Sequence, residues 1–596
     1  MSLAVAFNAP YYTGPVGSVD AWAAFDVVLA GRPYLLDWEQ EGEYRHDSIP
    51  LMRGQQDTSN RPGEQSINPG GLWRRSVESW HRGAGQSWLD RSESDPFRFA
   101  TSKGVDPWGR YGLTLLPDTS LALFTAGSNL YLAVAAGRLY MADGSTVLVS
   151  GVGSETFTAA SGLAGTVTAL TSDGATCYAA QGGSGIYTST GTAFTSFITG
   201  AVDLVRYAKG RLIAAFGPDL YNPTAAGPLP APLFTHPSSA WTWTDITEGP
   251  AAVYAAGYAG DKSMIYRTAV KADGASLDVP VVAATLPDGE RAESVTGYLG
   301  YVVIGTSLGV RFAVPDSAGN LTLGALIPTG SPVLCAEGQD RFVWYGLSNY
   351  DAASTGLGRL DLSTFTSDLT PAYASDLMAP GQGSVIAAAT YLGKRWFTIA
   401  SAGLYKQAAV KVASGTLSGG RVGFGLPDRK TGVTVTVRHD LLAAGQSVRL
   451  DLAADGAAAA PAGTSGAALT TEPAAPFTLT NVAGKDFEWT ITITGDATVR
   501  SVTLRADPTS ERSLAIYLPV LLRDQALTAD GIQTPVDVYG EWLYLSGLRD
   551  DRRVVSLQEG QLARPVIVED TQWRPWRKTS DGRFYQGTYL LKLKGV

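Results

Sequence analysis

Cysteine, histidine and basic charge are all scarce in this 596-residue chain, and each shortage removes a class of function. The two cysteines, Cys177 and Cys335, lie far apart without CxxC spacing, so neither a disulfide framework nor a cysteine metal site is expected. Both read as small buried apolar residues. The four histidines, His46, His81, His236 and His439, fall in separate segments without an HExxH pairing, which argues against zinc. Acidic residues outnumber basic ones by 55 to 46, for a net charge of -9. A sequence-independent nucleic-acid binder needs the opposite sign to release counterions from phosphates, so nucleic acid is not an expected partner.

Long apolar runs are missing too. The most apolar stretch, Leu121 to Ala136, is interrupted by Ser128 and Asn129 and alternates like a strand, so no membrane insertion is expected. Met1 to Val16 lacks the basic start and unbroken apolar run of a signal peptide, and secretion by that route is not expected. No GxSxG elbow, Walker loop or dinucleotide fingerprint stands between a strand and a helix, and Gly182-Gly-Ser-Gly185 reads as a turn. No cofactor is expected.

What the chain has is length, β-formers and turn residues. It is too long for one core, and its 68 glycines and 32 prolines supply the tight turns of short antiparallel strands. From residue 129 a unit recurs in which a β-rich run, a glycine turn and a second run end on a bulky residue. The copies end at Tyr140, Tyr187, Tyr221, Tyr266, Phe312, Leu360 and Tyr405, with spacings of 47, 34, 45, 46, 48 and 45. Their average, about 44 residues, is the length of a four-stranded propeller blade. The expected fold is therefore mainly all-β, with a seven-bladed β-propeller over 112–428. A β-solenoid or separate sandwiches are the alternatives. Ring closure is expected between Gly112-Leu-Thr-Leu-Leu and the segment Arg421 to Gly425.

After the array, alternating strands at Val433, Ser447, Phe487 and Val499 suggest a β-sandwich over 429–508, with Ala453 to Ala468 as a long mobile loop. A small α+β docking domain is expected over 509–596, its helix capped by Thr534 and opened by Pro535. At the other end, 1–60 holds a hairpin around Gly31 that is too small to stand alone and is expected to pack with the C-terminal domain.

Residues 61–111 form a linking segment with little periodicity, dense in Trp and Arg. It reads Gly71-Leu-Trp-Arg-Arg-Ser-Val-Glu-Ser-Trp80, then His81-Arg-Gly-Ala-Gly-Gln86, Asp90-Arg91, Asp95-Pro-Phe-Arg-Phe99 and Ser102-Lys-Gly-Val-Asp-Pro-Trp108. Trp73, Arg74, Arg75, Trp80, His81, Trp88, Arg91 and Trp108 are candidate interface residues, since these types are enriched among interface anchors. The alternative is that the tryptophans pin an irregular segment onto the propeller.

This run resembles the minor tail proteins of tailed bacteriophages that infect actinobacteria, in which a similar segment precedes a propeller. The likeness extends to Leu557-Gln-Glu-Gly560 and Tyr585-Gln-Gly-Thr588. It implies a structural component of the virion tail, near the tip, made in the host cytoplasm and present in symmetric copies. Its implied partners are other tail proteins at the tube end, distal tail or hub, together with a host-surface glycan. The competing class is a glycan-binding or cell-wall-polysaccharide-degrading propeller protein. For that reading Trp241 and Trp243 beside Asp245 and Glu248 are the trial set, because aromatics stack on sugar faces and carboxylates polarise a glycosidic oxygen. A Trp-Thr-Trp on an exposed loop is otherwise a packing or contact element. The chain is not expected to be an enzyme.

Overall fold

The computed structural model describes residues 25–38, 44–50, 73–91, 94–109, 112–274, 276–366, 369–424, 429–466, 474–479, 482–508, 512–527, 533–559 and 562–595. Its contacts divide the chain into two units, one formed by Met1–Gln56 with Thr509–Val596 and the other by Asp57–Pro508. Among the described residues no helix is long and apolar enough to cross a membrane.

The larger unit is built on seven successive sheets, six of four antiparallel strands and the second of four with Gly227–Pro228 added in parallel at its edge. Sheet one runs from Leu130–Ala135 to Phe157–Ala159, and sheet two from Val167–Ser172 to Thr195–Thr199. Sheet three begins at Leu204–Ala208, sheet four at Thr242–Glu248, sheet five at Ala292–Tyr298 and sheet six at Ala336–Gln339. Sheet seven has Val385–Tyr391, Lys394–Ile399 and Gly403–Lys411, and its fourth strand is Pro117–Leu123, from before sheet one. First strands pack against one another in succession, and that of sheet seven packs on that of sheet one, so the array is a closed β-propeller.

Closure therefore occurs, but on other residues than the sequence suggested. Leu113 bridges to Val499, and Thr114–Leu115 pairs with Val105–Asp106. Arg421 lies in Ser414–Val422, which pairs with Phe487–Thr494, while Gly425 falls outside the described residues. The reason is register. Pro117–Leu123 alternates suitably to fill the vacant edge of sheet seven, which leaves both flanking segments for a different core. Sheets seven and one are further joined through Tyr391, whose hydroxyl lies within 3.2 Å of the carbonyls of Gly137, Gly151 and Ser154. Lys394 and Lys406 of sheet seven both grip Glu155 of sheet one.

The glycine that opens the third strand of several units has a steric cause. Gly185, Gly309 and Gly403 have φ of 114°, 157° and 106°. A Cβ there would sit 2.0 Å from the Ile198 carbonyl, 2.0 Å from that of Ile327 and 2.1 Å from that of Leu123. Each of these carbonyls belongs to the neighbouring fourth strand, so the glycine lets third and fourth strands approach.

Two five-stranded sheets share one core beside the array, the second including Ala483–Gly484 paired with Lys430–His439. The first orders Ala460–Gly466, Ser447–Ala454, Phe487–Thr494, Ser414–Val422 and Thr101–Lys103. The second orders Trp73–Val77, Val499–Pro508, Lys430–His439 and Ala474–Thr478. Phe487, Trp489, Ile491 and Ile493 alternate inward against Val435, Val437, Val502 and Leu504. Three expectations are corrected here. Residues 460–466, expected in a mobile loop, form a strand on Ser447–Ala454, because their backbone completes that open edge; 467 and 468 lie outside the described residues. The linking segment contributes strands to both sheets instead of remaining irregular. The boundaries 112–428 and 429–508 shift accordingly, since the array uses 117–411 and the paired sheets draw strands from 73–77, 101–103 and 414–508.

In the smaller unit a seven-stranded sheet orders Arg32–Leu36, Val27–Leu29, Val554–Glu559, Leu562–Lys578, Tyr585–Gly595, Arg512–Leu522 and Arg45–Pro50. Arg32–Leu36 also pairs with Arg512–Leu522, so the N-terminal hairpin is held on both sides by C-terminal strands. The helix is Val538–Asp551, and its cap is Asp537, whose carboxylate accepts from the Gly540 amide at 3.0 Å. Thr534 and Pro535 instead belong to a short strand paired with Gln525–Leu527, which corrects the expected cap. Glu541 ties the helix to the hairpin through Arg32 and Tyr34, both at 2.8 Å.

Replacing Gly403 by alanine is expected to destabilise the chain by about 1–3 kcal/mol, through strain at positive φ and the clash with Leu123. Replacement of Gly393, where the turn leaves open space for a Cβ, should cost less. Denaturant midpoints of the two variants check the difference, and equal midpoints would contradict the steric account.

Candidate functional site

The Trp and Arg segment is mostly interior. Trp80 is fully buried and Trp108 nearly so, both in the core of the paired sheets with Leu89, Phe99 and Val105. Arg75 is buried and donates from Nη2 to the Leu89 carbonyl at 2.6 Å. These three are therefore not exposed interface residues. Their apolar area and the Arg75 Nη2 donor are already used within the chain. His81 bonds Ser79 at 2.8 Å and packs on Phe97. Arg74 and Arg91 are exposed, and Trp88, with Arg91 above its ring at 4.8 Å, is half-buried like His81, which leaves these four as the part of the set at the surface. Trp73 has a described backbone, paired with Ala506, but its side chain lies outside the described residues.

The same segment braces sheet six of the array. The Ala84 amide donates to the Tyr373 carbonyl at 2.6 Å, Lys103 pairs with Asp351 at 2.7 Å, and Tyr350 donates to the Ser102 carbonyl at 2.6 Å. Trp108 meets Phe342 at 5.6 Å. A Cβ on Gly83 would strike the Tyr373 backbone at 2.6 Å, so glycine there is required by close approach.

The trial glycan set is dismantled by its surroundings. Trp241 and Trp243 are buried, with Trp243 on the first strand of sheet four, in an aromatic cluster with Phe234, His236 and Tyr266. His236 stacks on Trp241 at 4.0 Å, and burial lowers its pKa. Asp245 accepts from Arg206 Nε at 2.7 Å and from the Val295 amide at 3.0 Å, linking sheets three, four and five. Glu248 accepts from the Lys209 amide of sheet three at 2.8 Å. Both carboxylates are thus ties between sheets, and the tryptophans offer no open face for a sugar. Trp243, Asp245 and Glu248 lie on a strand of sheet four, with Trp241 just before it, rather than on an exposed loop.

Sequence inspection missed a row of interior charge between sheets six and seven. Arg359 binds Asp376 through Nε at 2.9 Å and Nη2 at 2.5 Å, and Trp344 Nε1 donates to the same carboxylate. Arg395 stacks over Trp344 at 4.0 Å, and its Nε is buried without a hydrogen-bond partner. Burial pushes the Glu337 carboxyl up to about 7, against smaller opposing effects of the Thr390 amide and Arg395. A carboxyl of that kind holds or releases a proton near neutrality. No local motif marks it, because Glu337, Arg359, Asp376 and Arg395 come from four strands.

Among the described residues no group of three or more His, Cys, Asp and Glu is gathered around a point that could hold a metal. Cys177 is buried in the core of sheets one and two, which raises its thiol pKa.

No known protein family matches the chain, and no curated protein matches it. Solved structures resemble its array. YCF48 from Cyanidioschyzon merolae is 12% identical with a TM-score of 0.36, covering 50% of this chain and 100% of its own. The WD40 β-propeller domain of Doa1 is 10% identical with a TM-score of 0.35, covering 50% of this chain and 98% of its own. An auxiliary nutrient binding protein from Bacteroides ovatus is 8% identical with a TM-score of 0.31, covering 52% of this chain and 76% of its own. The chain is a mainly all-β protein of propeller type.

Two outcomes follow from this geometry. Trp80→Ala should destabilise the larger unit by about 3–5 kcal/mol, the usual cost of truncating a buried tryptophan, read as a lower denaturant midpoint. Glu337 has a folded pKa above its unfolded value, so its contribution to stability is complete below pH 4.5 and is lost as pH rises through about 7. Glu337→Gln should therefore match the parent at acid pH and exceed it by about 1–3 kcal/mol at pH 8. Parallel stability profiles of parent and variant would refute the assignment.

Proposed function

We propose that the chain is a structural minor tail protein of a bacteriophage virion, at or near the tail tip, acting as an assembly and host-surface platform. In this reading the array is a seven-bladed ring, the paired sheets are a β-sandwich, and the terminal unit docks to neighbouring tail proteins. Seven sheets with first strands packed in succession support the blade number. The observation that carries the functional reading is the use made of residues 73–108, the segment that resembles phage tail proteins. It supplies strands to both sheets beside the propeller and ties them to sheet six, which is a scaffold role. The acidic and aromatic set best suited to sugar chemistry is spent on ties between sheets, in keeping with a rigid platform. Its surface loops remain available for contacts with tail partners or a host glycan.

Antibody raised against the purified chain should label one end of the tail of intact particles in electron micrographs, at a fixed number of copies per particle. Label confined to other parts of the virion, or absent from purified particles, would refute the reading. Incubation with host cell-wall glycans should release no product, and turnover would replace this function with that of an envelope-degrading enzyme.

A further inference from the structure

The hairpin formed by Leu562–Lys578 and Tyr585–Gly595 carries charge opposite to that of the chain. Across Leu562–Gly595 there are seven cationic and three acidic residues, with Lys592 paired to Glu569, in a protein of net charge -9. Arg577, Lys578 and Arg583 at its far end, and Arg523 beside it, are exposed, and none of the four has an ion-pair partner among the described residues. The two nearby carboxylates serve the turn itself and partly offset Arg577 and Arg583. Asp524 accepts from the Ser580 amide at 2.7 Å, and Asp581 from the Thr579 hydroxyl at 2.5 Å and the Arg583 amide at 3.0 Å.

Aromatic side chains are interleaved with these cations. Trp576 occupies a bulge between Pro575 and Arg577, where the ladder to the partner strand skips a residue, and its ring is half exposed with Arg523 at 5.9 Å. Tyr585 is also half exposed, with Lys578 Nζ at 6.0 Å from its ring. The adjoining helix buries Val538, Leu545 and Leu548 but leaves Tyr539 and Leu543, one turn apart, half exposed. Tyr539 touches Phe584 of the hairpin at 5.1 Å, which makes the two surfaces continuous.

We propose that this hairpin end and helix face form the docking surface for a protein partner that presents acidic side chains around an apolar anchor. Exposed Trp, Tyr and Arg in one patch are the residue types that dominate binding energy at protein interfaces, and the local positive charge selects an acidic counterpart. A nucleic-acid backbone fits less well. Tyr539 and Leu543 add apolar surface with no phosphate to meet, and the remainder of the chain carries an excess of negative charge.

The proposal rests on the reading of the chain as an assembly subunit, and its test is independent of the particle. The full-length protein is titrated against three probes: a synthetic amphipathic helical peptide with Glu and Asp around Leu and Phe, poly-L-glutamate, and duplex DNA. The peptide is expected to bind at least about tenfold more tightly than poly-L-glutamate, and Trp576→Ala should weaken that binding by about tenfold or more. The pair Arg577→Glu with Lys578→Glu should abolish it, whereas Lys271→Glu, an exposed turn residue of the larger unit, should leave it unchanged. Trp576→Phe should retain most of the affinity, and unchanged thermal unfolding of the variants confirms that folding is intact. Equal binding by parent and variants, no binding of the peptide, or a preference for duplex DNA would each overturn the proposal. Loss of tail labelling in virions, with peptide binding preserved, would overturn the virion reading alone.

Discussion

The larger unit depends on one backbone pairing, that of Pro117–Leu123 with Gly403–Lys411. A small twisted sheet exposes two faces and two edges, and only its neighbours in a ring can cover the faces. Sheet seven has three consecutive strands of its own, so without the early strand it would present an open edge at the seam with sheet one. The pairing also decides what surrounds the ring. It brings Pro117 opposite Lys411, so the chain enters and leaves the array at the same place. The segments on either side then meet as a matter of course, with Thr101–Lys103 pairing with Ser414–Val422. The core of the paired sheets is in this sense a consequence of ring closure.

Polar groups inside the array follow the same logic. Asp245 joins three sheets, Glu290 is held by Arg311 in a two-pronged contact, and Asp376 is held by Arg359 and Trp344. Buried carboxylates are costly unless fully bonded; the Glu290 and Asp376 contacts meet that requirement within sheets five and six, while Asp245 meets it across sheets and so constrains how neighbours align. Asp245 thereby ties sheets three, four and five together, and its carboxylate is taken up by those bonds. Glu337 is the exception in degree, a carboxyl held in a poorly solvated place with less compensation, and its raised pKa is the result.

Much of the architecture was legible because it rests on local rules. The recurring bulky residues mark second- and third-strand positions of a repeated sheet, and the glycines before Ile186, Val310 and Leu404 mark the close approach of a fourth strand. Alternation at Phe487–Thr494 announced a half-buried strand. The candidate site was less legible. Trp80 and Trp108 look like anchors in sequence, yet both are consumed by the interior, while the exposed Trp576 owes its position to a bulge that no periodicity reveals. Thr534 and Pro535 imitate a helix start, but pairing with Gln525–Leu527 claims them, and Asp537 caps instead.

The sequence by itself determined the class of structure: strand periodicity, turn glycines and a repeat of blade length require an all-β array, because those features act over a few residues at a time. Tertiary structure alone decided which strand completes the ring, which tryptophans face inward and which carboxylates become ties. The reason is physical. Those outcomes depend on partners hundreds of residues apart, such as Leu123 with Leu404 or Trp73 with Ala506, and no local signal records which of several compatible edges a strand will fill.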